Sequence, residues 1–167
     1  MKAHIFVAVL LLFWLGCTSQ QNERLSQQQI DQIKKDVKAT ADSMMAKFER
    51  FDTDGSIQYY WDSPDFIKFN VDGSRNDFQA QKKSMGNSAN WATAVKVPTV
   101  REQFTVLTKD VVICAREGKV EINLKSGDRL TSDPFAYTLV FRNIGGQWKV
   151  IHSHESGIIV TEKAGKK

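Results

Sequence analysis

Phe135-Ala-Tyr-Thr-Leu-Val-Phe-Arg142, Asn143-Ile-Gly-Gly146 and Gln147-Trp-Lys-Val-Ile-His-Ser-His-Glu-Ser156 form one continuous stretch, and its reading decides the fold. Two runs of alternating apolar and polar residues flank a Gly-Gly pair, the pattern of a β-hairpin whose turn needs residues tolerant of positive φ. A hairpin this long has a face to bury, so another element must cover it. An amphipathic segment near the N-terminus is suited to that task, and the concave space between the two is where a ligand would sit.

That segment opens at Ser26, with Gln29 placed to complete a capping box. Ile30, Ile33, Val37, Ala41, Met44, Phe48 and Phe51 recur at steps of three and four, one apolar stripe on a helix running to about Phe51. Asp31, Lys34, Lys35, Lys38, Asp42 and Lys47 occupy the opposite side. Asp52-Thr-Asp-Gly55 reads as a turn that ends the helix. It lacks the closing glutamate of a calcium loop. Ser56 to Trp61 reads as one or two helical turns presenting Tyr59, Tyr60 and Trp61, stopped by Pro64. Residues 65–71 have strand character, with Asp72-Gly73-Ser74 as their turn. A second helix is expected from Arg75 to about Met85, ended by Gly86-Asn87, with Trp91 in the loop beyond. Long strands follow at about 95–108, 111–124, 129–142 and 147–159, separated by turn-prone breaks. Helices first and strands afterwards argue for an α+β domain whose mainly antiparallel sheet is covered on one side.

The first sixteen residues stand apart. Lys2 is followed by eleven apolar residues from Ile5 to Leu15, too few to span a bilayer and suited to a signal peptide. Leu15-Gly16-Cys17 then resembles the lipobox of bacterial lipoproteins, with Trp14 where an aliphatic residue is usual. Cys17 is the expected lipidation site, residues 17–26 a polar tether, 27–160 the globular domain and 161–167 a basic flexible tail. The expected location is the bacterial cell envelope, lipid-anchored, or the exterior if the lipobox is not used. Membrane contact is expected through the lipid anchor alone.

Of the two cysteines, lipidation of Cys17 would leave Cys114 unpaired, in an apolar run where a thiol serves as a small hydrophobe. The chain carries a net charge of +4 over 167 residues. Much of that excess lies in the tail, and no basic face with interleaved aromatics suggests nucleic acid.

The order of elements and several strings of residues resemble the nuclear transport factor 2-like superfamily, within it the SnoaL-like branch. The carrying features are the leading helix, Pro64-Asp-Phe-Ile-Lys-Phe-Asn-Val-Asp-Gly73 before a short helix, and above all Tyr137-Thr-Leu-Val-Phe-Arg142 with Gly146-Gln-Trp-Lys-Val-Ile-His-Ser-His-Glu-Ser156. The ending His152-Ser-His-Glu-Ser-Gly157 is also similar to the association domain of calcium/calmodulin-dependent kinase II. The resemblance implies a cone-shaped fold, with a long N-terminal helix against a strongly curved sheet, a conical pocket and frequent homodimers. It does not imply one chemistry, since isomerases, cyclases, dehydratases, hydrolases and non-catalytic binding proteins share this fold.

Three functions fit. The first is binding of a small apolar or amphipathic molecule, or a protein partner, with Tyr60, Trp61, Trp91, Tyr137 and His152 as candidate contacts. The second is acid–base catalysis with His154 or Glu155 as base and Tyr137 as donor. The third is an oligomeric assembly module. No cofactor is expected, and His152-x-His154 lacks the further ligands a metal needs. Which side of the last strand faces the pocket is left open by alternation. A two-residue turn places Phe135, Tyr137, Leu139 and Phe141 with Trp148, Val150, His152 and His154. A bulge at Gly145-Gly146 reverses this and brings Glu155 inward.

Overall fold

The computed structural model describes residues 24–165. The apolar run, Cys17 and most of the expected tether lie outside them. Helix α1 (Gln27–Phe48) begins as expected: the Ser26 hydroxyl accepts from the Gln29 amide, and the Gln29 side chain accepts from the Ser26 amide. Its stripe points inward at Val37, Ala41 and Met44, all buried.

Asp52 does more than end this helix. Its carboxylate accepts from the Gly55 amide and caps a second, short helix α2 (Thr53–Ile57). The chain then passes through β1 (Ile67–Phe69) and β2 (Arg75–Asn76) into α3 (Phe78–Trp91), capped by Asp77. Gly86-Asn87 does not stop α3, contrary to expectation. A mid-helix glycine costs only about 1 kcal/mol, and burial of Met85 and Ser88 one turn apart outweighs it. Trp91 is therefore the last helical residue and not part of a loop.

The rest is strand: β3 (Ala92–Lys96), β4 (Thr99–Thr108), β5 (Val111–Leu124), β6 (Arg129–Ile144), β7 (Gln147–Gly157) and β8 (Val160–Glu162). The expected strand at 95–108 is divided at Val97-Pro98, because proline cannot donate to a ladder. Gly118 on β5 lets this linker approach; a Cβ there would meet the Pro98 carbonyl oxygen at 2.0 Å. The sheet order is β2-β1-β7-β6-β5-β3, with β4 also on β5 and β8 on β6. All pairings are antiparallel except β1 with β7. The tail starts in order, since β8 pairs with β6 and Asp128 accepts from the Ala164 amide.

Register slips at Val106/Thr108 in β4, Gly118/Val120 in β5 and Val140/Phe141 in the β6–β7 pair locally increase twist. The sheet curves without closing, and α1 lies in its concave side. Phe66, Phe141, Val37, Val112 and Val150 are fully buried in the shared core. Among the described residues, the helices and strands of 24–165 share one continuous hydrophobic core, the mark of a self-contained domain.

Candidate functional site

The site is decided by one extra residue in β7. Gly145 and Gly146 have φ of +59° and +83°, the two positive values a type I′ turn requires. Ile144 pairs with Gln147 and Phe141 with Val150, as a two-residue turn dictates. Val140, however, pairs with His152, so Ile151 is a bulge. Beyond it the alternation is inverted. Ser153 faces Leu139 and Glu155 faces Tyr137, all on the concave side. Of the two arrangements left open, the one with Glu155 inward is found, through a bulge at Ile151 and not at Gly145-Gly146, so His152 and His154 do not share a face with Tyr137. His152 and His154 instead flank Phe69 on the outer face, with ring centroids 6.1 and 5.9 Å away.

Glu155 enters a cavity of about 250 Å³ walled largely by Met44, Phe48, Met85, Val95, Phe135 and Leu139. Helix α1 supplies one wall, α3 a second and the sheet the floor. Tyr60, Trp91 and Tyr137 also line it, whereas Trp61 and His152 do not. Trp91 and Ile159 are both lining and exposed, which places them at the mouth.

Lys68, which the sequence reading passed over, completes the site. Strand β1 sets it level with Ser153 in the parallel pairing, and its Nζ lies 2.5 Å from Glu155 Oε1. The lysine side chain is 11% exposed and the glutamate side chain 26%. A lysine between Ile67 and Phe69 was the available signal: in alternation with buried Phe66, it had to point inward.

Tyr60 joins this end of the cavity. It bridges to Val150 and packs edge-on against Phe66, centroids 5.6 Å apart. Burial, then the charge of Glu155, pushes its phenol well above the ordinary value. Tyr137 differs. Its ring lines the cavity, but its hydroxyl is enclosed and has no hydrogen-bond partner among the described residues. Burial raises its pKa, opposed by the neighbouring Arg116 guanidinium. Arg116, directly across from Tyr137 on β5, is 4% exposed and ties to Asp42 on α1 and to Glu102 on β4 at 3.0 Å. Lys38 closes this cluster, 2.7 Å from Glu102 and 3.1 Å from Asp42. Cys114 lies fully buried, and burial pushes its thiol up to about 11, the wrong direction for a nucleophile.

The SnoaL-like domain family matches residues 37–161. Among solved structures, a protein of Novosphingobium aromaticivorans provisionally classed as a scytalone dehydratase superposes with a TM-score of 0.71 at 8% identity, covering 85% of this chain and 94% of its own. The type 3 hexachlorocyclohexane dehydrochlorinase of Novosphingobium barchaimii gives 0.67 at 11%, covering 81% and 94%. A Xanthomonas campestris domain provisionally classed as a calcium/calmodulin-dependent protein kinase II association domain gives 0.62 at 18%, covering 73% and 85%. These likenesses are of fold. Among curated proteins no sequence matches.

Proposed function

The chain belongs to the SnoaL-like domain family, and from that premise we propose that it binds a small apolar or amphipathic molecule in the concave side of the sheet. One observation carries this reading: an apolar cavity of about 250 Å³ with a mouth at Trp91 and Ile159 and a single ion pair inside. Apolar walls with few, placed polar groups are the usual form of a small-molecule site. Calorimetric titration of the 24–165 domain with 2-naphthol is expected to show saturable one-to-one binding, lost when Ser88→Phe fills the cavity. No saturation, or saturation indifferent to that substitution in a protein that still melts cooperatively, would end the reading.

A second reading is acid–base chemistry with Glu155 as the base. It is favoured by a carboxylate standing inside the cavity, near enough to Tyr60 for the phenol to feel its charge. Against it, Lys68 already holds one carboxylate oxygen. The discriminating result is turnover of a bound compound that Glu155→Gln abolishes while leaving its affinity intact.

The same proposal places the domain at a membrane surface in the cell envelope, anchored through Cys17. The apolar leader and the Leu15-Gly16-Cys17 string support this. Metabolic labelling with palmitate should mark the native protein and fail on Cys17→Ala. A homodimer through the outer face of the sheet is supported by Ile67, His152, Val140 and Ile113, which line up across four strands as one transverse row. Sedimentation of the 24–165 domain should return twice the monomer mass; a monomer at high concentration contradicts it.

A further inference from the structure

Lys68 and Glu155 are the cavity's charged lining residues among the described residues, and they neutralise one another at 2.5 Å. From this we infer that the cavity selects an uncharged amphiphile with a hydroxyl head and rejects carboxylates and ammonium ions of the same shape, with Glu155 as the residue that sets the choice. The inference rests on the binding reading above and specifies the chemistry of its ligand.

Charge balance sets the first constraint. A partly buried ion pair among apolar walls survives because each charge is answered by the other, and a third charge brought beside it has no counterion. A carboxylate attracted to Lys68 would also lie against Glu155. An ammonium attracted to Glu155 would lie against Lys68. Both would surrender hydration on entering a cavity whose other polar groups are neutral hydroxyls and amides such as Ser153, Gln81 and Tyr60.

Hydrogen-bond supply points the same way. An ammonium has three N–H donors and a carboxylate two acceptor oxygens. One N–H and Oε1 are used between Lys68 and Glu155. What remains is donors on one partner and Oε2 on the other, side by side. A hydroxyl, which both donates and accepts, satisfies both; a carboxylate only accepts, and an ammonium only donates. The mouth at Trp91 and Ile159 and the methionine and phenylalanine walls receive the apolar body.

The test uses three rigid probes of one shape at pH 7: 2-naphthol, 2-naphthoate and 2-naphthylmethylammonium, each titrated calorimetrically into the 24–165 domain. Naphthol is expected to bind at least tenfold more tightly than either ion. Glu155→Gln leaves Lys68 uncompensated, so naphthoate should gain at least tenfold relative to naphthol. Lys68→Met should give the converse gain to the ammonium probe. Naphthoate binding as well as naphthol in the native domain overturns the inference while the binding reading stands, and this ranking needs no variant to fold. An unchanged ranking in a folded Glu155→Gln protein overturns it equally. If none of the probes saturates, the inference and the binding reading fall together.

Discussion

Two ionic groups lie on the concave side of one sheet and do different work. The Lys38, Asp42, Glu102 and Arg116 cluster ties α1 to β4 and β5, and each member has two partners of opposite sign. The Lys68–Glu155 pair joins β1 to β7, has no second partner of opposite charge among the described residues, and lines the cavity. The first is redundant and spans the packing of helix on sheet. The second is spare capacity: a donor set and an acceptor held in place with room before them. Redundancy suits a structural role, and the ion pair with unused valence beside a cavity is where we propose that a ligand is held.

The largest effect should come from the structural cluster. Arg116→Met leaves Asp42 and Glu102 with Lys38 as their remaining partner and should cost about 3 kcal/mol in urea unfolding, with naphthol affinity within twofold of native. The reverse pattern is expected for Lys68→Met. Stability should fall by about 1 kcal/mol, since Glu155 retains some solvent, while probe selectivity changes at least tenfold. If both substitutions lower stability and binding alike, the division between the two groups is wrong.

A third outcome concerns the outer face. Replacing His152 and His154 together by alanine should leave naphthol binding within twofold, because both imidazoles lie across the sheet from the cavity. The proposed homodimer uses that face, and the double substitution should weaken it.

The smallest effect is one of pH. Burial alone would raise the Asp42 carboxyl, but Arg116 and Lys38 prevail and hold it below its ordinary 3.8. Its contribution is present above the unfolded value and is lost as pH falls through the lower folded one. Lys38 is raised above 10.5, chiefly by Glu102, so its share is full below 10.5 and is lost as pH rises through the raised value. The cluster should therefore contribute evenly between about pH 5 and 9. With its carboxylate half in water, Asp42→Asn should remove only about 0.5 kcal/mol of that plateau, seen as a shallower acid limb in chemical denaturation.

Much of this architecture was legible because periodicity and capping agree locally. Ser26 and Gln29 mark the start of α1, and Val111 to Leu124 is strand from end to end as read. Tyr60, Trp91 and Tyr137 were singled out and do line the cavity. What stayed hidden is non-local. Ile151 is an ordinary strand residue, and nothing in its side chain declares it the bulge. Only its pairing across β6 does so, and one slipped residue exchanges two histidines for a serine and a glutamate. Lys68 was missed for a related reason, since its strand is short and gains its place from a parallel pairing some eighty residues distant in sequence.

The bulge at Ile151 is therefore the point on which the site turns, and nuclear magnetic resonance with bound 2-naphthol examines it most directly. Intermolecular Overhauser contacts should join the naphthol ring to the side chains of Leu139, Phe135 and Glu155, with none to the imidazole protons of His152 or His154. Contacts to the imidazoles without any to Glu155 would place the histidines in the cavity and contradict the account.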